Sequence, residues 1–289
     1  MYPAEFDYVA PASLDEALSI LAEHGGDAKV LAGGHSLLPL MKYRLARPAL
    51  VVDIGRIPEL KGITEADGSI EVRAMATHRE VELSDVIKRG APAVAEAAQW
   101  VGDMQVRNRG TLCGSCSHAD PASDQPGVMV AVGATMHLRS ASGSREVAAP
   151  DFFVDALTSA LAPNEILTHI SIPKLGPAEG AAYDKIGRRG GHSDFAVAGA
   201  AAWVRLSGGT IADARVGITG VGSRTVRATG VEEALRGRPA TDDTIRTAAG
   251  RAVEGVSVLE DLYGSVEYKS HLAKVFTQRA LTTAVERAR

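Results

Sequence analysis

The sequence predicts an α+β protein, and three features lead to that fold class. Short strands alternate with helices through the first 176 residues, whereas the rest of the chain places strands first and helices afterwards. A stretch rich in proline and glycine, residues 173–180, separates the two parts. We therefore expect a first domain over residues 1–176, with lobes over 1–57 and 58–176, and a C-terminal α+β domain over 177–289.

Composition and charge exclude several classes of protein. The chain has 289 residues, is 45% hydrophobic and carries a formal net charge of -4, so it can bury sizeable cores but lacks the basic excess of a nucleic-acid-binding protein. It shows neither a secretory signal nor an apolar run of the roughly 20 residues that a membrane span needs. With only two cysteines, the sequence is typical of a cytoplasmic protein, free or associated with the inner face of the membrane.

Local signals place the elements of the first lobe. Ser13 and Glu16 form a capping box before an apolar stripe at helical spacing, and Gly25 ends the pattern, which predicts a helix over residues 14–24. Further along the lobe we expect a strand over 29–32, helical turns over 37–44 and a strand over 49–53.

The second lobe and the C-terminal part show weaker patterns. Thr77 and Glu80 form another capping box, and an alanine-rich stretch predicts a helix over 92–101. Strands are expected over 62–64, 69–73, 135–139 and 167–172, then over 195–206 and 211–221, with helices near 231–235, 241–253 and 269–285.

Two glycine-bearing segments carry the functional signal. The first is Ala32-Gly33-Gly34-His35-Ser36, and the second is Thr111-Leu112-Cys113-Gly114-Ser115. Glycine lets successive backbone N–H groups turn toward an anion, so two such loops could hold one diphosphate from both sides. A dinucleotide cofactor is the ligand that this pattern favours. The sequence contains no P-loop, no Gly-x-Ser-x-Gly elbow and no Gly-x-Gly-x-x-Gly, which argues against hydrolase and Rossmann functions.

Each of these signals has a plainer interpretation. A Gly-Gly pair before a helix is more often a tight turn than a phosphate site. His35 and His118 lack the spacing of a metal-ligand set, so we interpret them as loop-positioning residues. Cys113 and Cys116 form a C-x-x-C that could be a redox pair or half of a metal site, but the chain has no further cysteines to complete one. We predict no metal site in this chain.

Three sequence segments together resemble one protein family. They are Ala-Gly-Gly-His-Ser followed by Leu-Leu-Pro-Leu-Met-Lys, then Thr-Leu-Cys-Gly followed by His-Ala-Asp-Pro-Ala-Ser-Asp at 118–124, and finally residues 183–189. In this order they resemble the flavoprotein, or medium, subunit of molybdenum hydroxylases, of the aerobic carbon monoxide dehydrogenase and xanthine dehydrogenase type. The resemblance covers essentially the whole chain. It implies a two-lobed FAD-binding domain of the vanillyl-alcohol-oxidase (PCMH) type, followed by a C-terminal α+β domain.

The resemblance also implies a set of cofactor-binding residues. The two glycine segments would bind the diphosphate of a non-covalently held FAD, Asp124 a cofactor hydroxyl, and Lys185 would lie close to the flavin. Phe195 falls near a position from which an aromatic ring can cover the flavin. One departure is Cys113, which stands where the family usually has glycine. The full predicted set is Ala32, Gly33, Gly34, His35, Ser36, Leu37, Val101, Thr111, Cys113, Gly114, Ser115, Asp124, Thr168 and Lys185.

By the same resemblance, this chain is an oxidoreductase subunit that does not itself act on the primary substrate. A large partner holds molybdopterin, a small partner holds [2Fe–2S] clusters, and FAD passes the electrons to a quinone or another acceptor in an (αβγ)₂ assembly. Contact with a membrane would then be indirect, through the quinone. Three alternatives stay open: a stand-alone FAD-dependent oxidoreductase, a cofactor-free assembly subunit, and a flavin linked covalently to His35.

Overall fold

The computed structural model describes residues 1–189 and 194–289, which form three main sheets with helices packed against them. The first sheet is parallel and has the strand order β1-β3-β2. Its strands and helices are β1 (Asp7–Val9), α1 (Leu14–His24), β2 (Ala28–Leu31), α2 (Leu37–Lys42) and β3 (Leu50–Asp53). Because β2 and β3 are parallel, the chain leaves β2 through the first glycine segment and α2 before it returns.

The second sheet is antiparallel and is built from strands far apart in the chain. Its strands are β4 (Ile63–Ala66), β5 (Ser69–Arg73), β6 (Thr135–Ser140), β7 (Gly143–Ala148) and β10 (Ile166–Pro173), in the order β4-β5-β10-β6-β7. Between β5 and β6 run α3 (His78–Leu83), α4 (Asp85–Gly90), α5 (Pro92–Trp100), α6 (Met104–Arg107), α7 (Leu112–His118) and α8 (Asp124–Val132). After β7 come α9 (Ala149–Phe152) and the small pair β8 (Phe153–Asp155) and β9 (Thr158–Ser159).

The third sheet has strands first and helices afterwards, as the sequence predicts. Its strands are β11 (Glu179–Gly187), β12 (Ala196–Ser207), β13 (Thr210–Thr219) and β14 (Val226–Arg227), and its helices are α10 (Thr229–Leu235), α11 (Asp242–Ala249) and α12 (Val266–Ala288). A Cβ atom on Gly180 of β11 would overlap the backbone of α12, and one on Gly217 of β13 would overlap Gly127 of α8. Glycine thus allows the backbones of two helices to approach this sheet closely.

Two hydrophobic cores hold these layers together. The first is continuous through both of the first two sheets and takes in Tyr183 and Trp203 from the third sheet. The second lies between the third sheet and α10, α11 and α12. Since the first core is shared, burial of apolar surface holds α8 against the third sheet as well as against its own lobe.

The predicted helix starts illustrate how local signals act. At α3 the capping box is complete, because the Thr77 side chain accepts from Glu80 N–H and the Glu80 carboxylate accepts from Thr77 N–H. At α1 only half of it forms, because the Glu16 carboxylate accepts from Ala12 N–H at 2.8 Å. No helix in the described ranges combines the length and apolarity needed to cross a bilayer.

Helices α7 and α8 are among those that were not predicted from sequence, as are the short helices α4, α6 and α9. The second glycine segment, expected to be a loop, is the start of α7, and Asp124 begins α8 rather than ending a loop. All nine residues of α8 are buried, so this helix has no polar face that would reveal its period. Helix α7 consists largely of small and polar residues, whose intrinsic preference for helix is weak.

Candidate functional site

The first glycine segment is an open turn with unused hydrogen-bond donors. It leaves β2, and Gly34 adopts a φ of 80°, a backbone conformation that favours glycine. Across the described part of the chain, the backbone N–H groups of residues 33–37 donate no hydrogen bond to the protein. Five consecutive amides with free protons form a cradle suited to an anion.

The second glycine segment is a capped helix start rather than an open loop. The Thr111 side chain is the N-cap of α7 and accepts from Gly114 N–H at 3.1 Å, while Leu112 N–H donates to the Ala76 carbonyl at 3.2 Å. Cys113 is in helical conformation with its side chain buried, so the absence of glycine there causes no backbone strain. The prediction of a second glycine loop is therefore wrong for residues 112–115.

The structure brings the first glycine segment into direct contact with the backbone that leads into the second. A Cβ atom on Gly33 would overlap the Arg109 carbonyl oxygen and lie 2.7 Å from the Gly110 Cα. Real Cβ atoms do not approach backbone this closely, so only glycine fits at position 33. Its role is thus to let the first segment close on the backbone that leads into Thr111.

Two residues that were not predicted from sequence, Arg107 and His78, support the backbone between Val101 and Gly110. Arg107 donates from Nη1 to the carbonyls of Val101 at 3.1 Å and Gly102 at 2.9 Å, and its Nε donates to Glu82 at 3.0 Å. Val101, a predicted cofactor residue, is thereby fixed at the end of α5. His78 is 3% exposed and lies beneath Gly110.

Asp124 and Lys185 form a buried ion pair between the first domain region and the third sheet. Lys185 Nζ lies 2.8 Å from the Asp124 carboxylate, and the Tyr183 hydroxyl donates to the same carboxylate at 2.6 Å. Burial raises the pKa of Asp124, whereas Lys185 and Tyr183 oppose that rise by binding the charged form. Tyr183 was not predicted, although it stands at the same face of β11 as Lys185, two residues before it.

Lys185 also connects the ion pair to neighbouring backbone. Its Nζ donates to the Asp194 carbonyl at 2.6 Å and to the Trp100 carbonyl at 3.3 Å, directly before Val101. Phe195, which follows Asp194, is 42% exposed and stacks under the Arg188 guanidinium. The ammonium group thus joins α5, α8 and the turn that leads into β12.

Thr168 lies apart from the other predicted residues. It is on β10, where its carbonyl accepts from Ala74 N–H at 2.9 Å and its hydroxyl donates to the His137 carbonyl at 3.1 Å. It faces a cavity of about 380 Å³ that His137 and His169 also line. No hydrogen bond in the described residues joins its side chain to either glycine segment, so its cofactor role stays a prediction.

The two cysteines are buried thiols. Cys113 is 2% exposed with its Sγ 3.5 Å from the Val72 carbonyl oxygen, and Cys116 is fully buried; both are free. Burial raises the pKa of both thiols, and the thiolate is the form that binds metals and reacts with disulfides. Both cysteines are therefore core residues of α7. Within the described ranges, no group of three or more His, Cys, Asp or Glu residues is placed to hold a metal ion.

Comparison with known families divides the chain in two. Residues 4–175 match the FAD binding domain in molybdopterin dehydrogenase, and residues 181–284 match the CO dehydrogenase flavoprotein C-terminal domain. Together these matches cover both glycine segments, the Asp124–Lys185 pair and the third sheet.

Individual relatives match over nearly their full length. The chain is 37% identical to the 6-hydroxypseudooxynicotine dehydrogenase complex subunit alpha of Paenarthrobacter nicotinovorans, covering 100% of this chain and 97% of the relative. It superimposes with a TM-score of 0.95 on a chain of carbon monoxide dehydrogenase from Hydrogenophaga pseudoflava, at 40% identity and 99% coverage of both chains. Quinoline 2-oxidoreductase from Pseudomonas putida 86 gives a TM-score of 0.92 at 36% identity, covering 100% of this chain and 99% of that one.

Proposed function

Because the chain belongs to the family of FAD-binding flavoprotein subunits of molybdenum hydroxylases, we propose that it binds one FAD non-covalently and serves as the electron outlet of a larger enzyme. The observation that carries this proposal is the cradle of five unpaired amides at residues 33–37, closed against the backbone of Arg109 and Gly110. Backbone amides without partners need an acceptor, and the FAD diphosphate supplies several oxygens at once.

The residues present fit this cofactor. The free amides of the first segment, from Gly33 to Leu37, would hold the diphosphate. Cys113 N–H also donates no hydrogen bond within the described chain, so it too is available to the cofactor. Ser115 and Gly114 are partly exposed, as groups that approach a ligand must be. Bound FAD supplies the redox chemistry, because its isoalloxazine ring accepts and releases electrons, while the protein binds and orients it.

Asp124 and Lys185 have a second role in this proposal. The family resemblance implies that Asp124 binds a cofactor hydroxyl and that Lys185 lies close to the flavin, and in the structure the two side chains bind each other. We propose that this ion pair fixes the position of the Trp100 and Asp194 carbonyls and the local electrostatic environment. The flavin would lie beside these carbonyls. A fixed ion pair costs no rearrangement when the cofactor binds.

We further propose two partners for this chain. Its relatives are named as subunits or chains of dehydrogenases that act on different substrates, which fits a shared flavin module beside a variable substrate-binding partner. A large molybdopterin subunit would oxidise the substrate and a small subunit would relay electrons through [2Fe–2S] clusters to this chain. The acceptor would be a quinone or dye, the assembly (αβγ)₂, and the location the cytoplasm, where buried free thiols persist.

Purification and reconstitution test the proposal. We expect the full chain to be yellow with a flavin absorption spectrum, and acid precipitation to release the colour into the supernatant. Colour retained on the precipitate would indicate a covalent flavin, with His35 the first candidate. A colourless chain that FAD does not reconstitute would support an assembly role instead. Anaerobic flavin reduction by a substrate, with this chain alone, would favour a stand-alone oxidoreductase.

A further inference from the structure

Two backbone hydrogen bonds join the start of α3 to the chain at the beginning of the second glycine segment. His78 N–H donates to the Gly110 carbonyl at 2.8 Å, and Leu112 N–H donates to the Ala76 carbonyl at 3.2 Å. Together they pair Thr77 with Thr111 as an antiparallel bridge. The complete capping box at Thr77 fixes the first turn of α3. The start of this helix therefore holds the backbone of residues 110–112 in place.

The His78 ring packs closely against Gly110. A Cβ atom on Gly110 would be 3.1 Å from His78 Cδ2 and 3.6 Å from Nε2, so this edge of the ring lies next to the glycine. Gly33 approaches the same residue, because a Cβ atom built on Gly33 would lie 2.7 Å from the Gly110 Cα. Gly110 therefore contacts both the first glycine segment and the imidazole of His78.

The chemistry of His78 is unusual for a residue with a purely packing role. Its Nδ1 is buried and has no hydrogen-bond partner among the described residues, which is costly for a polar group. Burial, and to a smaller extent electrostatic interactions with His35 and Arg107, lower the pKa of His78 to about 3. The ring is thus neutral at physiological pH and adds no charge beneath the cradle.

We propose that His78 is a positioning residue for cofactor binding, a spacer that holds Gly110 where it contacts Gly33 of the first glycine segment. This inference rests on the proposed function, because it concerns the same FAD site. His78 acts through Gly110 and Thr111 and does not itself contact the cofactor. Preorganised binding groups lose less free energy on binding, so removal of the spacer weakens FAD affinity.

Titration of the full, deflavinated chain with FAD, followed by quenching of flavin fluorescence, tests the proposal. We expect His78→Ala to raise the dissociation constant of FAD about ten-fold or more, and His78→Gln, which keeps an atom near the Nε2 position, to change it less than about three-fold. The matched control is Val81→Ala, which removes a fully buried side chain from the same helix. It should lower the melting temperature and leave FAD affinity within about three-fold of the wild type.

The outcomes separate this inference from the proposed function. Wild-type affinity in His78→Ala, or an equal loss in Val81→Ala, would overturn the positioning role alone. A wild-type chain that does not bind FAD would overturn the proposed function, and this inference with it. If His78→Ala does not fold, Gly110→Ala tests the same contact, because its new Cβ atom would crowd the His78 ring without leaving a cavity. Unchanged FAD affinity in that variant would overturn the inference.

Discussion

The two glycine segments look alike in sequence and differ in how their polar groups are satisfied. In the first, the amides of residues 33–37 have no partner in the described protein. In the second, the Thr111 hydroxyl accepts a hydrogen bond from Gly114 N–H, and Leu112 N–H donates to the Ala76 carbonyl. The neighbouring Asp124 carboxylate is likewise occupied, by Lys185 and Tyr183. The first segment therefore offers a run of free donors to a ligand, whereas most amides of the second already donate within the protein.

This difference predicts whether a substitution should change FAD affinity or the stability of the fold. A change in the open first segment should act mainly on FAD affinity, because its donors are used only when a ligand binds. A change in the internally satisfied region should act mainly on stability, because it leaves buried groups without partners. The following predictions test that division, and each needs both a denaturation curve without FAD and a measured FAD affinity.

The largest expected effect is that of Asp124→Ala on stability. Removing the carboxylate leaves the fully buried Lys185 ammonium without its counter-ion, which costs about 3 to 5 kcal/mol. We therefore expect a large loss in the free energy of unfolding, measured by urea denaturation of the deflavinated chain. The double variant Asp124→Ala/Lys185→Met should recover part of it. A stable Asp124→Ala chain that only bound FAD more weakly would show that Asp124 belongs to the open region.

Gly33→Val should have the next largest effect and should act on both measurements. The new side chain would overlap the Arg109 carbonyl and push the first glycine segment away from Arg109 and Gly110, which costs about 1 to 3 kcal/mol of stability. The purified variant should also lose most of its flavin. Gly26→Val is the matched control, since a Cβ atom there meets nothing within 4 Å and should leave flavin content unchanged. Full flavin occupancy in Gly33→Val would refute the contact between the segments.

Acid should weaken the supporting region through His78. Its pKa is about 3 in the folded chain and the ordinary value is 6.5, so the unfolded chain binds more protons between these pH values. Stability is therefore highest above pH 6.5 and falls as the pH drops toward 3, by up to about 1.4 kcal/mol per pH unit. His118 and His169 contribute in the same direction, since burial lowers the pKa of both.

The non-titrating variant isolates the contribution of His78. In His78→Gln, the melting temperature should fall less between pH 7 and pH 5 than it does in the wild type, because one of the three histidines with a lowered pKa is gone. Parallel pH profiles for the two chains would contradict a neutral, buried His78.

The smallest effect is expected for Gly114→Ala. A Cβ atom there would lie 2.6 Å from Thr111 Oγ1 and disturb the cap, and loss of an N-cap costs about 1 kcal/mol. Thr111→Val removes the same cap, so the two losses should not add in the double variant. FAD affinity should fall less than in Gly33→Val. An equal or greater loss of flavin would mean that the second segment, like the first, is an open binding loop.

Features that depend on near neighbours in the chain could be predicted. The helix at Leu14–His24 and the capping box at Thr77 follow from residues within one turn of each other. The order of strands and helices likewise led to the α+β class, and the glycine segments to a dinucleotide cofactor; the family comparisons confirm an FAD-binding protein. By contrast, α8 was missed because it is buried on every side, and its helical period leaves no alternation of polar and apolar residues.

The supporting residues of the site could not be found from sequence, because each acts on a partner far along the chain. Arg107 and His78 carry no motif, and their importance appears only when α6 and α3 pack around residues 99–110. Tyr183 lies 59 positions from Asp124, whose carboxylate it binds. The sequence alone pointed to two glycine-bearing segments as candidates for anion binding, since glycine content is a local property, and it did not show that only the first is an open turn. Only the tertiary structure decided that Gly33 meets Gly110 and that Asp124 is already paired, because burial and contact depend on how distant segments pack.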